Sequence, residues 1–260
     1  MINLKNISKY TWFSFVPFTS LAVLTISLLC LGVISPVYLC ATAIMWSLVS
    51  GLGVAVGYHR VFSHKTHSLP RWKENLILSF AALAGQGSSI TWTAIHRGHH
   101  HRHTDTKEDI HTPVFKGAWY AFFGWTNQIT EAKNPINFKY AVDLLRKPNH
   151  VWFHHNQLRI LWLTPIIVAL FDWRLALMAC VLPTGLSLMQ DNLINVLGHK
   201  KALIGYRNFD TEDQSQNNWI LGYLGWGQGW HNNHHALPAN YDFGARWWEF
   251  DPCRLWKWLL

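Results

Sequence analysis

Histidine is concentrated in the stretch from His96 to His103, where five imidazoles lie within eight residues. If this stretch is helical, His96, His99 and His100 are related as i, i+3 and i+4 and lie on one face. Neutral imidazole nitrogens that converge on one point bind transition metals such as iron, copper, zinc and nickel. A solvated, partly protonated basic loop would explain this single cluster equally well.

Similar spacing recurs in three other segments, and this recurrence favours metal binding over a basic loop. The three segments contain His59 and His64, then Asn195 and His199, and then His231, His234 and His235. The last segment repeats the i, i+3, i+4 spacing. The second pair shares a helical face as i and i+4, whereas the first pair, at i and i+5, would straddle the end of a helix. Nine imidazoles from four segments are too many for one metal, so the sequence predicts two metal ions.

The composition is that of a membrane protein. Charged residues make up 14% of the 260 residues, aromatic residues make up 15%, and there are 16 tryptophans, whereas charged residues are about 25% of a usual soluble domain. No linker divides the chain, so we expect one domain over residues 1–260. The dispersed cysteines indicate neither disulfides nor cysteine-bound metal. They are Cys30, Cys40, Cys180 and Cys253.

The elements that must position the histidines are membrane helices. Uncharged runs predict four spans in two hairpins, because about 20 apolar residues cross roughly 30 Å of hydrocarbon. The predicted spans are residues 11–34, 37–58, 155–171 and 175–198. The third has an apolar part of only 160–171, so its helix must extend backwards through polar residues. The first run is longer than a signal-peptide core and no small-residue cleavage site follows it, so we expect it to be retained.

The run from Asn75 to Ile95 is also uncharged, but we expect that it does not cross the membrane. His59 and His64 precede it and His96 follows it, so a crossing would separate these histidines by about 30 Å. Gly85, Gly87, Ser88 and Ser89 in its middle favour a helix that lies in the interface or re-enters and breaks. The alternative is an ordinary span with unrelated histidines at its two ends.

The basic residues predict the orientation of the chain. With four spans, all but one of the 22 Lys and Arg residues, Arg174, lie on one side together with every histidine. The positive-inside bias makes this side cytoplasmic, so both termini and the cytoplasmic parts 59–154 and 199–260 are expected there. A net charge of +8 suits anionic lipid headgroups, acidic redox partners or phosphates. Nucleic acid is not expected, because no basic stripe is free of the membrane-facing architecture.

Four sequence motifs in this order and spacing resemble those of the membrane fatty-acyl desaturases of the stearoyl-CoA desaturase type. The motifs are HRVFSH from His59, HRGHH from His96, the pair Asn195 and His199, and GWHNNHH up to His235. The resemblance covers nearly the whole chain. It implies an all-α integral membrane fold with four transmembrane helices in two hairpins and a cytoplasmic helical cap. It also implies a di-iron centre held by His59, His64, His96, His99, His100, His199, His231, His234 and His235, with Asn195 approaching one iron through water.

The activity that the resemblance implies is insertion of a cis double bond, expected at the Δ9 position, into a saturated fatty-acyl chain, with O2 as co-substrate and two electrons. The acyl group could be carried by CoA, a carrier protein or a glycerolipid. No fused cytochrome segment is present in the sequence, so we expect a separate electron donor such as a ferredoxin or a b-type cytochrome with its reductase. Two alternatives remain, which are a hydroxylase of an alkyl or acyl lipid with the same iron chemistry and a non-enzymatic metal carrier or sensor.

The sequence departs from the family at Gln228, where a glutamate is common before the last histidine motif. Such a carboxylate could orient a neighbouring metal-bound imidazole. Gln228, Asp105 and His111 are therefore our candidates for side chains that support the metal ligands. The remaining histidines are interpreted as surface or packing residues, and they are His67, His101, His103, His150, His154 and His155.

Overall fold

The computed structural model describes residues 8–130, 136–200 and 205–260, apart from the side chain of His99. This part of the chain is largely helical, and one short antiparallel pair of strands joins Gly205–Tyr206 to Asn217–Asn218. The α-helices are Val16–Cys30, Leu39–Trp46, Arg71–Ala81, Ser89–Ile95, His101–His103, Pro113–Lys116, Ala118–Phe122, Val142–Leu145, Pro148–Ala169, Trp173–Leu175, Leu182–Leu197, Trp219–Leu224 and His231–Ala236. π-helical turns cover Thr11–Phe15, Ser47–Ser63, His96–His100 and Ala176–Val181, and 3-10 turns cover Pro36–Tyr38, Ala82–Ala84, Gly124–Gln128, Phe138–Ala141 and Pro252–Leu259.

Within the described ranges, three continuous helices are long and apolar enough to cross a membrane. They are Thr11–Cys30, Pro36–Ser63 and Trp173–Leu197, with 20, 28 and 25 residues. They correspond to the predicted spans 11–34, 37–58 and 175–198. The second helix continues to Ser63, beyond the predicted end, because the chain keeps its helical path through π-type turns. His59 therefore lies inside this helix, and His64 follows its end.

The predicted span 155–171 falls on the helix Pro148–Ala169, which is not among these three apolar helices. The amino-terminal half of this helix carries the polar residues His154, His155, Gln157 and Arg159, so its composition differs from that of a uniformly apolar span. Its helical character is nevertheless continuous over 22 residues.

The helices pack as two hairpins whose turns lie together. Thr11–Cys30 packs on Leu182–Leu197, and the contact is close at Gly185, where an added Cβ atom would lie 2.5 Å from the Cβ atom of Ala22. The Tyr38 hydroxyl, after the first turn, donates a 2.6 Å hydrogen bond to Asp172 in the second. The two turns are thereby joined at one end of the bundle, away from the histidine-bearing end of the second helix.

The run 75–95 breaks in its middle, as predicted. Helix Arg71–Ala81 ends in a 3-10 turn, Gly85 and Gly87 have φ values of 71° and 83°, and Ser88 caps helix Ser89–Ile95. A residue with a Cβ atom is strained at such φ values, so the glycines permit the chain reversal. Because the chain turns back, His64 and His96 come into contact, with Nε2 atoms 2.9 Å apart.

The carboxy-terminal segment forms a polar, buried support for the last histidine motif. Asn233, in helix His231–Ala236, donates to Glu249 at 2.8 Å and accepts from Asn217 at 2.8 Å. A second tie is the buried ion pair between Arg60 and Asp251, whose atoms are 2.8 Å apart. This segment is thus fixed to the helix that carries the first histidine motif.

Candidate metal centre

Eight of the nine predicted imidazole ligands form two groups of four. Group one consists of His59, His64, His96 and His234, and group two consists of His100, His199, His231 and His235. In each group the potential ligand atoms lie within 4.8 Å of one another. Each group draws its residues from separate segments, so the tertiary fold alone brings them together. The ninth predicted ligand is His99, whose side chain lies outside the described part of the structure.

The spacing of the nitrogens fits two metal ions. In group one, Nε2 of His59 lies 3.0 Å from Nε2 of His234. In group two, Nε2 of His231 lies 2.7 Å from Nε2 of His199 and 3.1 Å from Nε2 of His235. Two nitrogens bound to one metal at about 2.1 Å are separated by about 3.0 to 3.4 Å at angles of about 90 to 109°. Their separations are therefore close to those of nitrogens that share a metal.

Burial favours the neutral form, which binds metals, for several of these imidazoles. It lowers the pKa of His96, His231 and His234 well below the usual range of histidine, and it is the main reason why the pKa of His235 is lowered to about 4. His199 is the exception, because the neighbouring carboxylate of Asp105 outweighs burial and raises its pKa. Metal binding requires a deprotonated ring nitrogen, so imidazoles that burial keeps neutral can bind a cation without first losing a proton.

Three aspartates orient three of the four imidazoles of group two. Asp105 lies 3.0 Å from Nδ1 of His199, Asp109 lies 3.2 Å from Nδ1 of His100, and Asp213 lies 2.9 Å from Nδ1 of His235. A hydrogen bond from Nδ1–H leaves the lone pair on Nε2, which is the nitrogen that faces the other imidazoles. Asp105 was predicted from the sequence, whereas Asp109 and Asp213 were not.

These aspartates remain ionised. Burial opposes ionisation of Asp213, but the hydrogen bond to His235 prevails and lowers the pKa of Asp213 far below its usual value. Burial also opposes ionisation of Asp109, but its interactions with the neighbouring His111 and His100 rings prevail and lower its pKa. A carboxylate on a metal-bound imidazole also raises the basicity of the ring. The signal that could have identified Asp109 is its spacing of two residues from His111.

Group one has an amide where group two has carboxylates. Oε1 of the buried Gln228 lies 3.1 Å from Nδ1 of His59. Nε2 of Gln228 donates a 3.1 Å hydrogen bond to Asp191 in helix Leu182–Leu197. Gln228, predicted as a supporting residue, thus contacts a histidine of group one, and Asp191 was not identified from the sequence.

His111 and Asn195 also lie beside the groups. Nδ1 of His111 is 3.3 Å from Asp109, and His100, Asp109 and His111 form a third, smaller set of potential ligands. The His111 ring lies 4.7 Å from the His100 ring. Asn195 lines the same cavity as His111 and His100. Both residues are therefore placed where they could act on a metal or its bound water.

His101 was interpreted from the sequence as a surface or packing residue, but it lies between the two groups. Its ring centre is 4.5 Å from that of His64 and 5.6 Å from that of His235. Its Nε2 atom is buried and has no hydrogen-bond partner among the described residues. The cause is the π-type turn His96–His100, in which the His101 amide donates to the His96 carbonyl as i to i+5.

The other histidines lie outside both groups. Nδ1 of His150 is 2.8 Å from the Ser89 hydroxyl, and Nδ1 of His154 is 2.7 Å from the Ser88 hydroxyl. The ring of His67 packs on a tyrosine. His103 is half-buried.

Arg97 holds the first and second histidine motifs in register. Its guanidinium donates to the carbonyl of Ser63 at 2.8 Å, to the carbonyl of Tyr140 at 2.9 Å and to the carboxylate of Asp143 at 2.9 Å. Backbone carbonyls near His64 and a side chain next to His96 are thus linked directly. The geometry of group one consequently depends on this arginine.

A cavity of about 630 Å³ adjoins histidine groups one and two. This volume is typical of pockets that bind organic ligands. Its histidine side is formed by His59, His96, His100, His111 and His231. Its apolar and aromatic side is formed by Tyr10, Trp92, Ile95, Trp125, Ile129, Ile136, Phe138, Leu158 and Ile194. The arrangement places the candidate metal centre against a space that would accommodate a hydrocarbon chain.

The family model for fatty acid desaturase matches residues 11–257. The chain belongs to the fatty acid desaturase family. The prediction of a fatty-acyl desaturase, and therefore of an oxidoreductase, is confirmed. The histidine groups are consistent with the metal dependence expected for this family.

Curated relatives include desaturases of lipid-bound and CoA-bound acyl chains. The chain is 33% identical over 213 residues to the sn-2 palmitoyl-lipid 9-desaturase of Nostoc sp. (strain 36), which covers 78% of this chain and 71% of the relative. It is 31% identical over 209 residues to the sn-1 stearoyl-lipid 9-desaturase of Synechocystis sp., covering 80% and 64%. It is 34% identical over 221 residues to a probable acyl-CoA desaturase of Schizosaccharomyces pombe, covering 82% and 45%.

Proposed function

We propose that this desaturase is a single-domain membrane enzyme with two irons that inserts a cis double bond at the Δ9 position of a lipid-bound saturated acyl chain. The observation that carries the proposal is the pair of four-histidine groups beside an apolar cavity. The chemistry that bound iron supplies with O2 and two electrons is oxidation of an unactivated pair of methylene carbons.

The residues of the chain provide position and shelter for that chemistry. Trp92 and Ile95 lie on the same cavity wall as His96, so an acyl chain in the cavity would run beside group one. Holding one carbon pair next to the metals lowers the barrier by several kcal/mol. Apolar walls also exclude water from the oxidising centre.

A lipid-bound substrate and the Δ9 position are supported by the curated relatives. The Nostoc and Synechocystis proteins are both named 9-desaturases of acyl lipids. The CoA-linked alternative can be separated by supplying isolated membranes with a labelled acyl-CoA or a labelled glycerolipid under conditions that block acyl exchange. Direct conversion of the labelled acyl-CoA alone would refute the lipid-bound substrate.

The membrane topology of the proposal adds Pro148–Ala169, the third span in chain order, to the three apolar helices, with both termini and the metal centre in the cytoplasm. Leu163, Ile166, Ile167 and Leu170 in and just after this helix are each more than half exposed. They are spaced as i, i+3, i+4 and i+7 and so form one outward apolar face, as lipid contact requires. Tags placed after Lys107 and in the turn after Phe171 should report opposite sides of the membrane. The same side for both would refute the four-span arrangement.

A separate acidic redox protein, such as a ferredoxin or a b-type cytochrome with its reductase, is the proposed electron donor. The chain has a net charge of +8, and Arg102 and Lys107 are exposed beside the second histidine motif. Opposite charges accelerate association most at low ionic strength. The rate of reduction by such a donor should fall as salt is added and in an Arg102→Glu variant, and a salt-independent rate would refute electrostatic docking.

The activity is tested by expression in a host that lacks its own desaturase, followed by mass spectrometry of its fatty acids. Wild type should give products that have lost two hydrogens, with the double bond at carbon 9. His234→Ala should give none, because it removes a group-one ligand, whereas His103→Ala in the same polar portion should remain active. A product that has gained oxygen would instead identify a hydroxylase.

The metal assignment is tested on purified protein by counting iron. Wild type should hold close to two irons, and His96→Ala and His234→Ala should lose iron while remaining folded. The ninth imidazole is decided by comparing His99→Ala with His101→Ala. The sequence predicts His99, whereas the position of His101 between both groups supports His101. Full iron occupancy in His96→Ala and His234→Ala would refute the di-iron centre at these residues.

A further inference from the structure

The two histidine groups differ in the negative charge that surrounds them. Within the described residues, three histidines of group two contact aspartates through Nδ1. Across the same part of the chain, no carboxylate contacts a histidine of group one, and the polar side chain on Nδ1 of His59 is the neutral Gln228. Nine neutral imidazoles bring no charge of their own, so a cation in group one would have less local compensation than a cation in group two.

Asp191 is the acid closest to this position along a hydrogen-bonded path. Nε2 of Gln228 lies 3.1 Å from Oδ1 of Asp191, and Oε1 of the same amide lies 3.1 Å from Nδ1 of His59. Asp191 and Gln228 line the cavity together with His59. The amide therefore connects the carboxylate to a predicted metal ligand through two hydrogen bonds.

We propose that Asp191 is a positioning residue that acts through Gln228 to orient His59, and that a cation held in group one keeps Asp191 ionised so that its negative charge compensates the cation. The inference rests on the proposed di-iron function. It assigns to Asp191, on the helix Leu182–Leu197, the charge that a carboxylate at position 228 would otherwise provide in direct contact with His59.

The direction of the two hydrogen bonds explains how an amide can transmit this effect. A carboxylate only accepts hydrogen bonds, so it selects the NH2 end of Gln228 and turns the carbonyl oxygen towards His59. That oxygen in turn requires the proton of His59 to be on Nδ1. The lone pair is then on Nε2, which lies 3.0 Å from Nε2 of His234 inside group one.

Without the carboxylate, the amide would lose this preference. Rotation of Gln228 by half a turn would present its NH2 group to Nδ1 of His59, and that ring nitrogen would then have to accept. The proton would move to Nε2 and occupy the position that binds the metal. Asp191 thus selects the tautomer of His59 as well as contributing charge.

The test uses the full-length protein loaded with iron and compares Asp191→Asn with the exchange variant Asp191→Asn/Gln228→Glu. Asp191→Asn should weaken iron retention against a chelator by ~10 to 100-fold, as expected for loss of a partner outside the ligands. It should also shift the reduction potential to a more positive value, because less negative charge favours the reduced state. The exchange variant returns a carboxylate to the path and should restore both quantities towards wild type.

Asp172→Asn is the matched control. It makes the same chemical change on a carboxylate that binds Tyr38 at the other end of the bundle, so iron retention and potential should equal those of wild type. Gln228→Glu alone adds a second acid and should lower the potential below that of wild type.

The outcomes separate the two proposals. If wild type itself fails to hold two irons, the di-iron function fails. If wild type holds two irons and Asp191→Asn has wild-type retention and potential, the assignment of Asp191 is wrong. If Asp191→Asn loses iron and the exchange variant does not recover it, Asp191 stabilises the fold without supplying charge, and the proposal is overturned as well.

Discussion

The buried ion pair between Arg60 and Asp251 gives the largest stability effect that we expect from one substitution near the histidine groups. Both side chains are fully buried, and Nη2 of Arg60 lies 2.8 Å from Oδ2 of Asp251. The guanidinium also donates to the carbonyls of Tyr241 and Ala55 and lies 3.8 Å from the centre of the Phe243 ring. Asp251→Ala would leave this cation without its acid, directly beside His59.

The magnitude follows from the charge left behind. Breaking one partner of a buried ion pair costs about 3–5 kcal/mol, because the remaining charge stays out of water. Asp251 also accepts from the amides of Phe243 and Cys253, each at 2.9 Å. Losing these acceptors adds to the cost. For a protein of this size, 1 kcal/mol corresponds to about 2–4 °C, so the ion pair alone predicts a decrease in Tm of about 6–20 °C.

The assay is a thermal melt of purified protein in one detergent, together with an iron count. The matched control is Asp242→Ala, which removes an acid paired with Arg254 in the same segment. Both side chains of that pair are about 40% exposed, so its loss should cost less than about 1 kcal/mol. Equal melting temperatures for Asp251→Ala and Asp242→Ala would refute the reasoning. A stable Asp251→Met/Arg60→Met variant would agree with it, because removing both charges leaves none unpaired.

Three other substitutions have definite expected outcomes. Asp213→Asn should weaken iron retention by ~10 to 100-fold in chelator competition. Gly57→Leu should lower Tm, because an added Cβ atom would lie 2.3 Å from Ile77 and overpacking costs about 1–3 kcal/mol. Partial burial opposes ionisation of Asp143, but the ion pair with Arg97 prevails and lowers the pKa of Asp143. The stabilisation from the Arg97–Asp143 ion pair is therefore present above about pH 4 and is lost as the pH falls through the lowered pKa of Asp143. Asp143→Asn should remove this dependence in melts from pH 6 to pH 3, and an unchanged profile would contradict the pairing.

The sequence by itself was enough to predict a metal site and to locate most of the helices. Histidines spaced as i, i+3 and i+4 lie on one face of a helix, so local periodicity alone predicts that their imidazoles converge on a metal. Uncharged runs located the helices Thr11–Cys30, Pro36–Ser63 and Trp173–Leu197, because the ability to cross a membrane depends on the length and composition of a run. The break at Gly85 and Gly87 was also a local signal, because both glycines have positive φ.

Helix Pro148–Ala169 marks the limit of that reasoning. Its polar amino-terminal half lowers its hydropathy, and its apolar surface is recognisable only because Ile166 and Ile167 are exposed in the folded bundle. Composition averages over all sides of a helix, whereas lipid contacts one side. The apolar face of such a helix can therefore be recognised only when the neighbours of each face are known.

Only the tertiary structure decided how the histidines divide into two groups and which side chains support them. Asp213 contacts His235 and Asp191 contacts Gln228, although the two members of each pair are remote in sequence, and these contacts arise from the packing of separate segments. The position of His101 depends on one π-type turn, which shifts the phase of the helix by one residue relative to an α-helix. Such shifts and long-range contacts have no periodic signature. The sequence therefore predicted a two-metal site, and the fold determined which residues form each histidine group.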